Sequence, residues 1–98
     1  MFRDSSYDKK LAKELENLEF AREFLLGLME GGEGLDLAKA LKHTIKRMGI
    51  KEFSQLSKIP EKSVSRMLGQ KEIPKIKTLN AYLAPFGLKI KINLEEVA

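Results

Sequence analysis

The 98-residue chain contains no cysteine and no tryptophan, and it has a single histidine. Without cysteine, the protein has no disulfide framework, no thiolate metal site and no thiolate nucleophile. No apolar run approaches the roughly 18 residues that a membrane-spanning helix needs. Residues 1–10 also lack the apolar core of a secretory signal peptide. The sequence therefore predicts a cytoplasmic protein.

Sequence patterns typical of catalytic sites are also missing. Neither the GxxxxGK(S/T) nor the GxGxxG phosphate-binding loop occurs in the chain. Carboxylates cluster at helical spacing in residues 7–30, which is typical of a solvated helix face rather than of an acid–base pair. His43 lies among lysines and is most simply a surface residue, which leaves a metal site without ligands. The sequence thus predicts a protein that is not an enzyme and that needs no cofactor.

Charge is divided unevenly along the chain. Residues 1–38 carry 5 basic and 9 acidic side chains, whereas residues 39–77 carry 11 basic and 3 acidic ones, a net charge of +8. Residues 78–98 are neutral overall. A basic patch confined to one module is the electrostatic signature of a protein that binds a phosphate backbone. The alternative is a solvated, lysine-rich surface without a partner.

Residues 53–68, FSQLSKIPEKSVSRML, have the pattern of two short helices joined by a tight turn. Phe53 and Leu56 share one helix face, and Pro60 interrupts the pattern, because a proline pushes the preceding residue out of the helical region. In the second helix, apolar residues at i, i+3 and i+4 form the back. Its front is polar and carries Lys62, Ser63, Ser65 and Arg66. Two such helices form a helix-turn-helix pattern.

The rest of the chain extends this pattern into a single domain over residues 1–98. An acidic segment, residues 7–30, reads as two helices or one bent helix, with Asn17 as a good N-cap residue. Further helices are predicted from about residue 35 to 48 and over a last block that ends near residue 86. Residues 35–86 form the predicted helix-turn-helix core. The predicted fold is an all-α, five-helix domain with a short C-terminal strand.

The predicted strand is the tail LKIKINL, residues 88–94, where the hydrophobic period changes from helical to alternating. Its apolar positions are Leu88, Ile90, Ile92 and Leu94. The chain offers no second strand candidate, and a lone strand leaves its backbone groups unpaired. A strand from another chain would pair with them, so these residues are predicted to form a dimer strand. The alternative is a tail that packs on its own domain without a ladder.

Three segments of the chain carry a family resemblance. They are residues 21–49 (AREFLLGLMEGGEGLDLAKALKHTIKRMG), residues 53–68, and residues 73–90 (IPKIKTLNAYLAPFGLKI). The last block, with Pro-x-x-x-Thr-Leu followed by FGLKI, is the most specific. Together they resemble the addiction-module antidote proteins, a branch of the Cro/repressor-like helix-turn-helix antitoxins. The resemblance covers roughly four-fifths of the chain.

This resemblance implies a bacterial antitoxin that represses its own toxin–antitoxin operon by binding operator DNA as a homodimer. Such proteins usually neutralise a RelE-like toxin. Helix 61–68 is then expected to be the recognition helix, which lies in the major groove. Base contacts are then expected from Lys62, Ser65 and Arg66. Phosphate contacts are expected from Ser63, Lys71, Lys75 and Lys77.

The chain departs from the family pattern at three positions. Lys58 stands where the turn usually has glycine, which predicts a positive φ at a lysine. Ser54 replaces the usual alanine, and Pro85 replaces an ordinary helix former. These departures affect the turn geometry more than the fold.

Another function remains open at this point. The same fold could serve as a protein-interaction module that binds a toxin or regulator with little DNA binding. The basic front of the recognition helix favours DNA binding over this alternative. RNA is a weaker third choice, because the sequence lacks an exposed aromatic set for base stacking.

Overall fold

Six α-helices and one 3₁₀ turn make up the regular structure of residues 5–30, 34–92 and 94–97, which the computed structural model describes. In chain order they are α1 (Ser5–Leu15), α2 (Leu18–Met29), α3 (Leu37–Met48), α4 (Ile50–Ser57), α5 (Glu61–Gly69), α6 (Ile76–Leu83) and the 3₁₀ turn Ala84–Phe86. The all-α prediction is confirmed. The predicted count of five helices is wrong, because residues 7–30 form two separate helices.

Asn17 is the physical reason for that separation. Its φ of −79° and ψ of 111° are extended, so the helix does not continue through it. Its side-chain oxygen accepts hydrogen bonds from the backbone N–H groups of Glu19 at 3.0 Å and Phe20 at 3.2 Å. These are two of the donors that a helix start leaves unpaired, so Asn17 begins a new helix, as its predicted N-cap role requires.

An acidic cap begins α3 in the same way. Asp36 accepts a hydrogen bond from the backbone N–H of Lys39 at 3.0 Å. The helix therefore starts at Leu37 rather than near residue 35. None of the helices in the described part of the chain is long and apolar enough to cross a membrane.

The hydrophobic core joins α4 to the C-terminal helix through three aromatic rings. Phe53 is fully buried, and its ring stacks on Tyr82 and on Phe86 with centroid distances of 5.9 Å each. Because Phe53 lies on α4, Tyr82 on α6 and Phe86 in the 3₁₀ turn, the cluster fixes the α4–α5 pair against the end of the chain. Such ring pairs add stability beyond the apolar area they bury.

The connection between α4 and α5 is the three-residue turn Lys58, Ile59 and Pro60. Lys58 adopts the left-handed conformation, with φ 66° and ψ 16°, which confirms the predicted positive φ. Two serines support the turn: the Ser54 hydroxyl donates to the carbonyl of Ile59, and Ser57 Oγ accepts the Ile59 N–H at 3.1 Å. Ser54 thus supplies a hydrogen bond that an alanine at this position would lack.

Lys58→Gly should raise the free energy of unfolding by about 1 kcal/mol, because glycine adopts a positive φ without the Cβ clash that a lysine suffers. Urea unfolding checks this as a higher midpoint with an unchanged slope. Lys58→Ala is the control, since it removes the charge and keeps the strain, and it should give no gain. Equal stabilisation by both variants would show that charge, and not φ, limits stability here.

The predicted C-terminal strand is not found within one chain. Residues 88–92 and 94–97 are neither helix nor strand, and position 93 lies outside the described residues. Leu88 and Ile90 pack against the core, whereas Ile92 is 67% exposed and Leu94 is 96% exposed. A strand needs a second strand to form its ladder, and the described part of the chain contains none. Packing of Leu88 and Ile90 on their own domain corresponds to the alternative stated for this tail.

Candidate nucleic-acid interface

The front of α5 is open to solvent, as an interface requires. Val64 and Met67 are buried on its back. All three side chains predicted to contact bases, Lys62, Ser65 and Arg66, are exposed. The apolar spacing of three residues along α5 thus sets a buried back against a charged front.

A groove of about 340 Å³ runs between α5 and the loop and helix that follow it. It brings together three residues predicted separately from the sequence, namely Ser63, Arg66 and Lys75. The other predicted contacts, Lys62, Ser65, Lys71 and Lys77, are exposed but do not line this groove.

Sequence patterns missed four polar residues in the groove wall: Gln70, Glu72, Thr78 and Tyr82. Tyr82 belongs to the apolar stripe of α6, so its spacing predicts only a core position. It is indeed 6% exposed, and it also lines the groove. Ile76, which has the helical spacing of the same stripe, lies in the first turn of α6 and is 47% exposed. The start of α6 is therefore more open than its periodicity predicts.

Arg66 and Tyr82 are electrostatically coupled across this groove. Burial raises the pKa of the Tyr82 hydroxyl above its ordinary value of 10.0, and the Arg66 guanidinium opposes part of that rise. Tyr82 therefore stays neutral at physiological pH and can serve as a hydrogen-bond donor in the groove wall.

The raised pKa of Tyr82 predicts a loss of stability at alkaline pH. Because the pKa is higher in the folded than in the unfolded state, this stabilisation is complete below pH 10.0 and is lost as the pH rises through the folded-state pKa. Urea unfolding between pH 9 and 11 should show a smaller decline for Tyr82→Phe than for the wild type. Tyr7→Phe, at a tyrosine that is 63% exposed, is the control and should keep the wild-type decline. Identical curves for all three proteins would contradict the assignment.

The starts of α5 and α6 lack side-chain caps. Pro60 and Lys75 occupy the N-cap positions and make no side-chain hydrogen bond to the first turn, in contrast to Asn17 and Asp36. Uncapped backbone N–H groups and the positive end of the helix dipole both favour an anion. Glu61 already places a negative charge in the first turn of α5, so the start of α6 is the better anion site.

A second groove, of about 330 Å³, extends the basic surface towards α3. Lys39, Lys42 and Lys71 line it together with Asp36 and the Glu72–Ile73 loop. The Lys42 ammonium donates to the backbone carbonyl of Gln70 at 2.6 Å, which ties α3 to the end of α5. The helical spacing does not predict this hydrogen bond, because nothing in the sequence distinguishes Lys42 from the other lysines of α3.

Two residues of the segment 39–77, Arg47 and His43, pack against the N-terminal helices instead. Arg47 pairs with Asp8 at 3.2 Å, and its side chain is only 18% exposed, so it holds α1 to α3. His43, predicted as a surface residue, is half-buried and stacks on Phe24 with ring centroids 6.3 Å apart.

The candidate interface therefore comprises α5, the loop after it, and the start of α6.

Comparisons of the chain with protein-family models, curated proteins and solved structures find no match.

Proposed function

We propose that the protein is a sequence-specific, DNA-binding antitoxin and transcriptional repressor of a toxin–antitoxin operon. In this proposal α4 and α5 form a Cro/repressor-like helix-turn-helix, and α5 lies in the major groove. One observation carries the proposal. Residues 39–77, which have a net charge of +8, include both the exposed front of α5 and the adjoining groove. The resemblance to the antidote proteins supports the same function.

Each polar group of this surface has a distinct role in the proposal. The Arg66 guanidinium donates two hydrogen bonds to O6 and N7 of a guanine, and Lys62 donates to the same kinds of atoms. Ser65 completes the set of base contacts. Backbone phosphates are held by Lys71, Lys75 and Lys77, by Ser63, and by the uncapped N–H groups at the start of α6.

The protein acts as a homodimer in this proposal, because a repressor of this class reads two half-sites about 34–36 Å apart. The tail, residues 88–94, forms the dimer strand by pairing with its own copy. A RelE-like toxin is the further protein partner. The proposal includes no catalytic step and no cofactor, and it places the protein in the cytoplasm.

A second candidate function is that of a protein-interaction module with little DNA binding. The observation that favours it is a groove of about 300 Å³ between α1 and α2, lined in part by Tyr7, Phe20 and Phe24. Tyr7 is 63% exposed and Phe20 is 39% exposed, and one exposed residue of each charge, Lys10 and Glu14, also lines the groove. Exposed aromatic side chains are typical of protein contact sites, and the net negative charge of residues 1–38 disfavours DNA there.

Two charge-matched double variants separate the functions. Lys62→Glu with Lys77→Glu changes the proposed interface, and Lys9→Glu with Lys13→Glu changes the exposed side of α1. Both pairs lower the formal net charge from +4 to zero. Binding to DNA from upstream of the gene should weaken roughly 100-fold for the first pair. The second pair should stay close to the wild-type affinity.

Fluorescence anisotropy with a labelled duplex measures this difference. Equal losses for the two pairs would mean that any surface lysine contributes, which contradicts a defined interface. Wild-type affinity in both pairs would place the DNA contacts elsewhere on the surface and would also contradict the proposed interface. A wild-type protein that does not bind this DNA would favour the protein-interaction module.

A further inference from the structure

We propose that the tails of two copies pair as antiparallel strands with the two-fold axis at Ile92. This rests on the proposed homodimer, and it assigns the edge and the register of the dimer strand. Three observations carry it: the hydrogen bonds that the tail already makes, the order of its side chains, and a half-open apolar groove beside it.

The hydrogen bonds of the tail decide which edge is available. The Leu88 N–H donates to the Leu83 carbonyl at 3.3 Å, and the Ile90 N–H donates to Asn80 Oδ1 at 2.7 Å. In a strand, backbone groups of alternate residues point to the same edge. The edge of residues 88 and 90 is thus occupied by the protein's own domain. The opposite edge, with the backbone groups of Lys89 and Lys91, is left for a partner.

The order of side chains decides the register. With the axis at Ile92, Ile90 of one copy lies opposite Leu94 of the other, and Lys89 lies opposite Glu95. Apolar residues then face apolar residues, and opposite charges face each other at both ends.

Registers centred one residue away fit less well. An axis at position 91 places Lys91 opposite its own copy, which is a like-charge pair. An axis at position 93 places Ile90 opposite Glu96. An axis between two residues would put the apolar face of one strand against the polar positions of the other.

The same register fills a groove of about 220 Å³ beside the tail. Ile90 lines this groove together with Leu26 and Met29, whose side chains are 38% and 36% exposed. Directly opposite strand residues point to the same face of the sheet. Leu94 of the second copy therefore lies on the groove side of Ile90, where it can cover these two apolar side chains. Leu94 is 96% exposed in the single chain, so pairing also removes its own surface from water.

Cysteine cross-linking tests the register, because the chain has no cysteine of its own. Pairing through the edge of residues 89 and 91 makes Ile92 a non-hydrogen-bonded pair with its own copy. Such pairs have Cα atoms about 4.5 Å apart, within the range of a disulfide. Ile92→Cys should therefore oxidise to a covalent dimer under mild oxidation. Ile90→Cys should not, since its two copies lie roughly 13 Å apart in this register. The double variant Ile90→Cys with Leu94→Cys should link efficiently.

A charge swap supplies a readout without oxidation. Lys89→Glu places two negative charges opposite each other and should weaken the dimer roughly tenfold by analytical ultracentrifugation. Glu95→Lys should weaken it similarly, and the combined variant should restore most of the wild-type dimerisation constant. Failure of the combined variant to recover would overturn the Lys89–Glu95 pairing.

Two outcomes distinguish a wrong register from a dimer that does not use the tail. Efficient linkage by Lys91→Cys, without linkage by Ile92→Cys, would overturn the register and leave a tail-mediated dimer in place. If no cysteine variant links and the full-length Lys89→Glu and Glu95→Lys variants sediment as the same dimer as the wild type, the tail is not the dimer strand, and the proposed dimer strand fails together with the register.

Discussion

Arg66→Ala should cost about 1–3 kcal/mol of binding free energy on the operator and very little on unrelated DNA, so that sequence specificity relaxes. The reason is the geometry of the side chain. Arg66 is exposed on the front of α5, one position before the buried Met67, and its guanidinium can donate two hydrogen bonds to one guanine. Alanine loses both bonds and leaves the guanine acceptors unpaired.

Lys75→Ala should affect DNA binding in a different way from Arg66→Ala. Lys75 lies at the start of α6, where it lines the groove shared with Arg66 and can meet a phosphate. A phosphate contact carries no sequence information. Its loss should weaken operator and unrelated DNA about equally, and it should reduce the steepness of the salt dependence by about 0.9 per contact.

Both variants should be measured on operator DNA and on a scrambled duplex of the same composition, at two salt concentrations. Because Arg66 and Lys75 are exposed, their alanine variants should keep the wild-type melting temperature, which serves as the folding control. If Arg66→Ala loses equally on both duplexes, Arg66 contacts a phosphate rather than a base. Lys62 then becomes the better candidate for base contact.

The features predicted best from the sequence are those that a few neighbouring residues determine. Asn17 caps α2 because its short amide reaches the N–H groups two and three residues ahead. Lys58 has a positive φ because the turn demands it. Each of these follows from local geometry.

Features that depend on distant packing could not be predicted in the same way. The placement of Tyr82 beside Arg66 and the bond from Lys42 to Gln70 each join different elements, which periodicity does not relate. Ile76 fits the apolar stripe of α6, but it lies at the exposed start of that helix.

The predicted strand shows a further limit. The alternation of apolar and polar residues over 88–94 predicts a strand. A strand forms only against a partner strand, and the described part of one chain supplies none. The sequence therefore indicates the capacity to pair, whereas the pairing itself depends on a second molecule.

Salt concentration should have the largest effect on this protein's affinity for DNA. Three lysines per copy, Lys71, Lys75 and Lys77, are exposed and predicted to contact phosphates. About six phosphates would then be neutralised by a dimer, which gives a slope of about −5 in a plot of log affinity against log salt concentration. Between 50 and 200 mM salt, the affinity should fall roughly a thousandfold.

Such a titration on the DNA upstream of the protein's own gene tests the central claim most directly. The scrambled duplex is titrated in parallel. The proposed function predicts a steep slope on both duplexes and tighter binding to the upstream DNA at every salt concentration. A flat salt response, or no preference for the upstream DNA over the scrambled duplex, would contradict it.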